Sequence, residues 1–243
     1  MTILSVNFNK LALLRNSRGN GQPNLITFAR RSLNLGAGGI TVHPRPDQRH
    51  IRAQDVIDLK QLLEAFPDKE LNVEGYPNLA FIALIEAVQP HQVTLVPDEP
   101  GQLTSDHGWN LNQQAHVLED AVKQLKSKCQ RIAAFVDPLC EQLELLPSLG
   151  IDRIELYTQA YAEQFGTTQE QSILANYSKT AQRAQELGLG VNAGHDLSLQ
   201  NLSGFLTIPN ILEVSIGHAL TLEALDFGWD KTITEYLAIC KGA

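Results

Sequence analysis

Residues 70–97, ELNVEGYPNLAFIALIEAVQPHQVTLVP, contain the repeating unit that predicts the fold of this chain. The unit begins with a short apolar run, Glu70–Glu74. It continues through Asn78–Val88, where apolar residues recur at three- and four-residue steps, and ends with a second short run, Gln92–Pro97. The two short runs have the length and composition of buried β-strands, and the middle stretch has the period of an amphipathic helix. A strand, a helix and a strand in this order form a βαβ unit with parallel strands.

The same alternation extends over the whole sequence. Eight strands are predicted: Ile3–Asn9, Gly39–His43, Glu70–Glu74, Gln92–Pro97, Arg131–Asp137, Arg153–Thr158, Leu189–Gly194 and Ile211–Gly217. Helical stretches between them include Ala53–Phe66, Asn78–Val88, Gln113–Lys128 and Gln169–Leu187. Eight such units predict an α/β fold, a single-domain (β/α)8 TIM barrel over residues 1–243 with short extra helices. The alternative is an open doubly wound sheet, but such sheets usually have fewer strands and often a glycine-rich first turn, which this sequence lacks.

The composition excludes several classes of protein. Hydrophobic residues make up 43% of the chain and charged residues 19%, which predicts a compact core rather than disorder. The net charge of −8 argues against nucleic acid or an anionic membrane as a partner. The three cysteines have neither disulfide nor zinc-site spacing, and we find no secretion signal and no apolar run long enough to span a membrane. We therefore expect a cytoplasmic protein.

A polar or ionisable residue follows the apolar body of almost every predicted strand. These residues are Asn7 and Asn9 for the first strand, His43 for the second, Glu74 for the third, Asp137 for the fifth, Glu155 for the sixth, His195 for the seventh and His218 for the eighth. Because the carboxyl ends of barrel strands open on one face, we expect these side chains to converge on an active site. A single strand-end histidine is more often structural, but so many buried polar groups together would be costly without a ligand that satisfies them.

Two strand ends that contain glycine predict a binding site for an anion. The segment SIGHA (215–219) places Gly217 and His218 between the eighth strand and a helix, and VNAGHD (191–196) ends the seventh strand in a similar way. Backbone N–H groups at a helix start attract phosphate, and the loops after strands seven and eight bind phosphate in many barrels. Either glycine on its own is explained equally well by a tight turn.

Other loops carry cations that can bind phosphate, or are long enough to cover a site. In HPRPDQRH (43–50), two prolines restrict a segment that contains Arg45 and His50, and Arg18 lies on a glycine-containing loop after the first strand. The alternative for this segment is a solvated loop whose charges neutralise one another. The long polar loop 97–109, PDEPGQLTSDHGW, is interpreted as a lid, with a merely mobile surface loop as the alternative.

His43, Glu74 and His195 form a candidate acid–base set. Imidazoles titrate near neutral pH, and burial can raise the pKa of a carboxyl group into the same range. Two histidines and two glutamates can instead bind a metal ion. The sequence has no H-x-H or H-E-x-x-H spacing, so no metal site is predicted.

Together, these segments resemble the pyridoxine 5'-phosphate synthase family over essentially the full length of the chain. The similar segments are VNFNKLALLRNSRG (6–19), GITVHPRPDQRHI (39–51), LNVEG (71–75), VTLVPDEPGQLTSDHGW (93–109), VNAGHDL (191–197) and SIGHAL (215–220). Each short motif is a modest signal, but their order and spacing at strand ends are specific. The resemblance implies condensation of 1-deoxy-D-xylulose 5-phosphate with 3-amino-2-oxopropyl phosphate to pyridoxine 5'-phosphate, inorganic phosphate and water, without an organic cofactor.

The resemblance also implies roles for individual residues and an assembly. His43 and Glu74 match proton acceptors, His195 matches a proton donor, and Glu155 matches a glutamate that stabilises the transition state. The candidate substrate-binding residues are Asn7, Arg18, Arg45, His50, Thr104, Asp196, Gly217 and His218. The arginine that matches Arg18 is expected to reach the site of a neighbouring subunit. The resemblance implies a homo-octamer, a tetramer of dimers, that binds small phosphorylated substrates.

The sequence departs from the family pattern in three places. N-x-D-H after the first strand is NFNK (7–10), H-T-G after the sixth strand is YTQ (157–159), and the glycine after VNAGH is Asp196. Lys10 can replace the charge of the lost histidine. Two alternatives stay open. Because a fold does not determine a function, the chain can be another phosphosugar aldolase, epimerase or metal-assisted hydrolase on the same barrel. The replacements near Asn9 and Asp196 suggest a non-catalytic barrel that binds a phosphorylated metabolite or acts as an interaction scaffold.

Overall fold

A closed barrel of eight parallel strands forms the centre of the molecule. The computed structural model describes residues 1–98, 101–102 and 104–242. Each strand pairs with the next in sequence, and the eighth pairs with the first. The strands are β1 Ile3–Asn7, β2 Gly39–Val42, β3 Glu70–Gly75, β4 Gln92–Leu95, β5 Arg131–Val136, β6 Arg153–Tyr157, β7 Gly190–Gly194 and β8 Ile211–Ile216. The predicted (β/α)8 TIM barrel is confirmed, although β1 ends two residues earlier than expected because α1 begins at Asn9.

Helices surround the barrel and include short extra ones, as predicted. They are α1 Asn9–Asn16, α2 Leu25–Leu35, α3 Ala53–Leu63, α4 Leu79–Val88, α5 Leu111–Leu125, α6 Leu145–Leu149, α7 Gln159–Gln164, α8 Glu170–Glu186, α9 Leu202–Phe205, α10 His218–Phe227 and α11 Trp229–Gly242. The start of α4 follows from its sequence, because the Asn78 side chain accepts a hydrogen bond from the N–H of Phe81 (2.9 Å). None of the helices in the described part of the chain combines the length and apolar character needed to cross a bilayer.

The strands are not apolar through their bodies, which corrects the expectation from sequence. Residues that face the helices are apolar, whereas those that face the barrel interior are largely polar and buried: Ser5, Thr41, Asn72, Thr94, Glu155 and Asn192. Neighbouring interior side chains satisfy one another, as when Thr94 Oγ1 donates to Asn72 Oδ1 (3.0 Å). Burial of polar groups is tolerated when they are hydrogen-bonded in this way. The interior therefore differs from the Val, Ile and Leu layers usual in such barrels.

The amino-terminal end of the barrel is closed by a network of charged and amide side chains. Arg131 donates to both carboxylate oxygens of Glu70 and to Gln92 Oε1 (2.8 Å). Arg153 Nη1 lies 3.7 Å from Glu213 Oε2 and also donates to Gln92 Oε1 (3.4 Å). This network lies at the end opposite to the predicted active site.

Candidate active site

A cavity of about 410 Å³ opens at the carboxyl ends of the strands. It brings together all but one of the residues to which a catalytic or substrate-binding role was assigned: Asn7, His43, Arg45, His50, Glu74, Thr104, Glu155, His195, Asp196, Gly217 and His218. Residues from most strand ends thus reach one volume, as the barrel geometry requires. The exception is Arg18, which is exposed in the turn after α1 and is not among the described residues that line this cavity.

His43 lies between two carboxylates at the floor of the cavity. Its Nδ1 is 3.8 Å from Glu74 Oε2, and its Nε2 is 3.8 Å from Asp98 Oδ2. Asn9 Oδ1 accepts a hydrogen bond from the backbone N–H of His43 (2.8 Å), so the first residue of α1 positions the end of the second strand. Burial, assisted by the nearby Arg45 charge, holds the pKa of His43 well below its usual value. A neutral imidazole at this position is available to accept a proton.

The carboxyl group of Glu74 is poised for proton exchange. Burial, with the negative charge of Asp98 second, raises the pKa of Glu74 to about 8. A carboxyl group with a pKa close to the working pH can both lose and regain a proton during turnover.

Glu155 lies deeper in the barrel and depends on a glycine for its position. Burial, followed by repulsion from Glu74, raises the pKa of Glu155 well above its usual value. A Cβ atom on Gly194 would lie 2.5 Å from Glu155 Oε1, a distance that real Cβ atoms do not show. The glycine of VNAGH is therefore needed to accommodate a carboxyl group, a requirement that the sequence analysis did not anticipate.

His195 follows this glycine in an unusual backbone conformation. His195 and Asp196 have φ angles of 78° and 57°, a left-handed region that glycine adopts without strain. The conformation suits the glycine that the resemblance led us to expect at the position of Asp196, and aspartate is among the residues that tolerate it best. The His195 ring packs against Phe135 and Tyr157, with centroids 5.2 Å and 5.1 Å away. Burial, followed by the charges of Arg45 and Lys10, lowers the pKa of His195 to about 4.

The start of α10 forms one candidate phosphate site. The helix begins at His218, as predicted, so its first backbone N–H groups are oriented towards an incoming anion. A Cβ atom on Gly217 would lie 2.9 Å from the Cβ of Asn7, so the glycine permits the close approach of β8 and β1. Lys10 lines the same cavity and adds a positive charge.

Arg45 forms a second candidate phosphate site in the same cavity. The side chain is buried and its Nη2 lies 2.5 Å from Asp98 Oδ2 and 3.5 Å from Ser105 Oγ. Arg49 is half-buried and lines the same cavity: its Nη1 pairs with the exposed Asp47 (3.3 Å), and its Nη2 donates to the backbone oxygen of Gln102. Arg45 is likewise held in the cavity wall.

His50 completes this second site. Its Nδ1 accepts a hydrogen bond from the backbone N–H of Ile51 (2.9 Å), which leaves Nε2 as the donor. Burial, followed by repulsion from Arg45, lowers the pKa of His50 to about 4. The segment that carries it is fixed to α1, because Arg15 Nη2 donates to the backbone oxygen of His50 (3.1 Å).

The predicted lid, 97–109, is fixed at its carboxyl end. Trp109 is buried, its Nε1 donates to the backbone oxygen of Leu95 (2.8 Å), and its N–H donates to that of Phe135 (2.9 Å). This packing covers the end of β5, so Asp137, which was expected at the rim, is not among the described residues that line the cavity. The lid residues 99, 100 and 103 lie outside the described residues, and closure of the lid remains a prediction.

Sequence reasoning assigned no site role to Asp98, Ser105 or Tyr157. Asp98 follows β4, the one strand for which no polar residue was predicted directly at its end, and accepts a hydrogen bond from Ser105 Oγ (2.8 Å). Its position after an apolar run was a readable signal. Tyr157 was noted only as a departure from the family pattern, yet it lines the cavity. No group of three or more His, Cys, Asp or Glu side chains in the described ranges is arranged to hold a metal ion.

Comparison with known proteins identifies the family. Residues 4–242 match the family described as "Pyridoxal phosphate biosynthesis protein PdxJ". The chain belongs to this family. Among relatives named "Pyridoxine 5'-phosphate synthase", the protein from Albidiferax ferrireducens is 49% identical over 97% of this chain and 96% of its own length. The protein from Chelativorans sp. is 46% identical over 98% of both chains.

Solved structures with low sequence identity share the fold. The structure titled KGPDC from Streptococcus mutans has a TM-score of 0.66 at 15% identity and covers 99% of this chain and 98% of its own. Thiamine phosphate pyrophosphorylase from Pyrococcus furiosus has a TM-score of 0.63 at 16% identity, with coverage of 99% and 96%. At such identity these similarities support the barrel architecture alone.

Proposed function

We propose that this protein is a pyridoxine 5'-phosphate synthase. It condenses 1-deoxy-D-xylulose 5-phosphate with 3-amino-2-oxopropyl phosphate and releases pyridoxine 5'-phosphate, inorganic phosphate and water. The observation that carries the proposal is the convergence of His43, Glu74, Glu155 and His195 in one cavity with two anion sites. Membership of the PdxJ family and the names of its relatives support the same activity in vitamin B6 biosynthesis.

The two anion sites of the cavity suit two phosphorylated substrates. Lys10 and the start of α10 at Gly217 and His218 provide one anion site, and Arg45 and His50 provide the other. Binding each phosphate at its own site places the amino group of one substrate near the ketone of the other. Such fixed orientation is a large part of the rate advantage in a two-substrate condensation.

The acid–base residues suit the proton transfers of ring formation. Attack of an amine on a ketone, loss of water and ring closure each require a proton to leave carbon or nitrogen and another to reach a departing oxygen. Neutral His43 and the ionised fraction of Glu74 act as acceptors, and His195 acts as the donor. Glu155 stabilises the transition state.

The low pKa of His195 sets a condition on its role as donor. At neutral pH the imidazole of the empty cavity is uncharged, because it is buried beside Arg45. Bound substrate phosphates bring negative charge to the same cavity and favour the protonated form. Substrate binding thus charges the donor, and NMR titration of His195 with inorganic phosphate should show its pKa rising.

We also propose that the protein assembles as a homo-octamer built from dimers. Arg18 is exposed in the turn after α1 and is not among the described residues that line the cavity of its own chain. The exposed apolar residues of the adjacent helices α1 and α10 are Leu13, Leu14, Leu222, Leu225 and Phe227. A second subunit on this surface would bury it and place Arg18 near a neighbouring cavity. Light scattering measures the mass, and mixing Arg18→Ala with His195→Asn subunits should restore activity if Arg18 acts between subunits.

A two-substrate assay tests the reaction directly. The purified protein is incubated with both phosphorylated substrates without added cofactor, and the product is identified by its mass. Pyridoxine 5'-phosphate should form with the wild type and at least about a hundredfold more slowly with His195→Asn, which lacks the proton donor. Persistent absence of product with the wild type contradicts the proposal, and loss of activity with chelator favours a metal-assisted reaction instead.

A further inference from the structure

Three side chains at the end of β6 and in α7 form a hydrogen-bonded series that leads into the cavity. Gln159 Nε2 donates to Glu163 Oε1 (2.6 Å), and the Tyr157 hydroxyl donates to Gln159 Oε1. Tyr157 and Gln159 both line the cavity. The roles assigned above use none of these residues.

These hydrogen bonds determine the orientation of the Gln159 amide and of the Tyr157 hydroxyl proton. An ionised carboxylate only accepts hydrogen bonds, so Glu163 selects the NH2 end of the Gln159 amide. The amide oxygen then faces Tyr157 and accepts its hydroxyl proton. Burial, followed by the charge of Asp196, raises the pKa of Tyr157 to about 12, so the phenol keeps its proton at neutral pH.

A phenol whose proton is already donated can only accept a further hydrogen bond. In the described part of the chain no other group is hydrogen-bonded to the Tyr157 hydroxyl. The ring of Tyr157 is buried and stands edge-on to the His195 imidazole, with centroids 5.1 Å apart and an interplanar angle of 80°. The acceptor therefore lies next to the proposed proton donor.

We propose that Tyr157, oriented by Gln159 and Glu163, binds substrate by accepting a hydrogen bond from a hydroxyl or amino group beside His195. This inference rests on the proposed function, in which both substrates are phosphorylated and each carries such a donor group. Tyr157 thereby selects substrates with a hydrogen-bond donor at that position, because an analogue without the donor leaves the phenolic oxygen without a partner.

The variant Tyr157→Phe tests the inference because it keeps the ring and removes only the oxygen. We expect KM to rise about tenfold for the substrate that donates to Tyr157 and to stay within about twofold for the other. Tyr76→Phe is the matched control: this half-exposed phenol stacks on Trp109 outside the cavity, and its loss should leave both KM values unchanged. Unchanged KM values for both substrates in Tyr157→Phe overturn the inference.

The orientation of the phenol is tested by a double-mutant cycle. Gln159→Leu frees the hydroxyl proton, so the oxygen is no longer held as an acceptor, and we expect about a threefold loss of kcat/KM. In the Tyr157→Phe background the same change should have no further effect, since the oxygen it orients is gone. If the two substitutions together lower kcat/KM by the product of their separate effects, Gln159 acts independently of Tyr157. That result would overturn the proposed orientation of Tyr157 by Gln159.

Failure of the inference is distinguishable from failure of the proposed function. A wild-type protein that forms no pyridoxine 5'-phosphate contradicts the proposed function. Calorimetric binding of 1-deoxy-D-xylulose 5-phosphate and of the amino ketone to the wild type and to Tyr157→Phe then decides the inference by itself. Weaker binding of one ligand by the variant supports it, and equal binding of both refutes it.

Discussion

The carboxyl group of Glu70, at the amino-terminal end of the barrel, and those of Glu74 and Glu155, at the carboxyl end, lie in opposite settings. At the amino-terminal end, burial acts to raise the pKa of Glu70, but its hydrogen bonds to Arg131 hold that pKa below the usual value. At the carboxyl end, no arginine among the described residues hydrogen-bonds Glu74 or Glu155, and burial raises the pKa of both. A carboxylate paired with an arginine stabilises the fold, whereas a buried carboxyl group without such a partner has a raised pKa that suits proton transfer near neutral pH. The same type of side chain thus has its pKa moved in opposite directions by its neighbours.

Replacing Glu74 should have the largest effect. Glu74→Gln preserves the shape of the side chain but cannot accept or release a proton. We therefore expect kcat/KM to fall at least about a hundredfold while the fold is retained. The measurement is the two-substrate assay with circular dichroism on the same sample. Glu70→Gln is the control, and it should keep kcat/KM within about threefold. Equal losses of kcat/KM in Glu74→Gln and Glu70→Gln would show that the two ends of the barrel do not differ in their importance for activity.

The same variant makes a prediction about pH. Since the folded-state pKa of Glu74 is raised to about 8, its contribution to stability is fully present below the ordinary carboxyl pKa and is lost as pH rises through about 8. Glu74→Gln cannot ionise, so its free energy of unfolding should fall less than that of the wild type between pH 5 and pH 9. Urea unfolding at both pH values measures this, and parallel curves would show that Glu74 is not perturbed.

Replacing Arg131 should have the next largest effect, on stability rather than on activity. Arg131→Leu leaves Glu70 without its bidentate partner at a site that is only partly screened by water, which should cost about 2 kcal/mol of unfolding free energy. The active site lies at the other end of the barrel, so kcat/KM should remain within about twofold. A parallel fall in kcat would show that the two ends are coupled.

A smaller effect is expected from a methyl group placed beside Glu155. Gly194→Ala puts a Cβ atom 2.5 Å from Glu155 Oε1, so the carboxyl group must move and kcat/KM should fall about tenfold. Gly242→Ala, in open space near the end of α11, is the control and should change nothing. Activity retained in Gly194→Ala would show that the position of Glu155 is not critical.

The fold and most of the cavity could be predicted because they depend on sequence period. The alternation of short apolar runs with helical stretches determines a parallel barrel, and a parallel barrel determines where strand ends meet. His43, Glu74 and His195 therefore meet without any contact having been predicted. The polar interior was also readable: Ser5 and Thr41 alternate with apolar neighbours, but strands of four to six residues give too few repeats for the period to stand out.

Contacts that depend on loop geometry could not be predicted. Asp98 and Ser105 are seven residues apart in a loop with no period, so nothing in the sequence indicated that their side chains meet over Arg45. The series from Tyr157 to Glu163 depends on the angle between β6 and α7. Arg18 poses a different problem, because its proposed site lies on another chain.

The smallest effect is expected at Thr94, which lies between the two ends of the interior. Its single hydroxyl proton goes to Asn72 Oδ1 (3.0 Å), and Glu155 Oε2 lies 3.3 Å away on the other side. A protonated Glu155 can donate to Thr94 Oγ1, so Thr94→Val should weaken the hold on Glu155, with about a threefold loss of kcat/KM and about 1 kcal/mol of stability. Thr41→Val, which removes the hydrogen bond to Ser5 (2.7 Å), should lower stability alone. A hundredfold loss of kcat/KM in Thr94→Val would mean that residues in the middle of the barrel interior are also needed for activity. The contrast between the two ends of the barrel would then not hold.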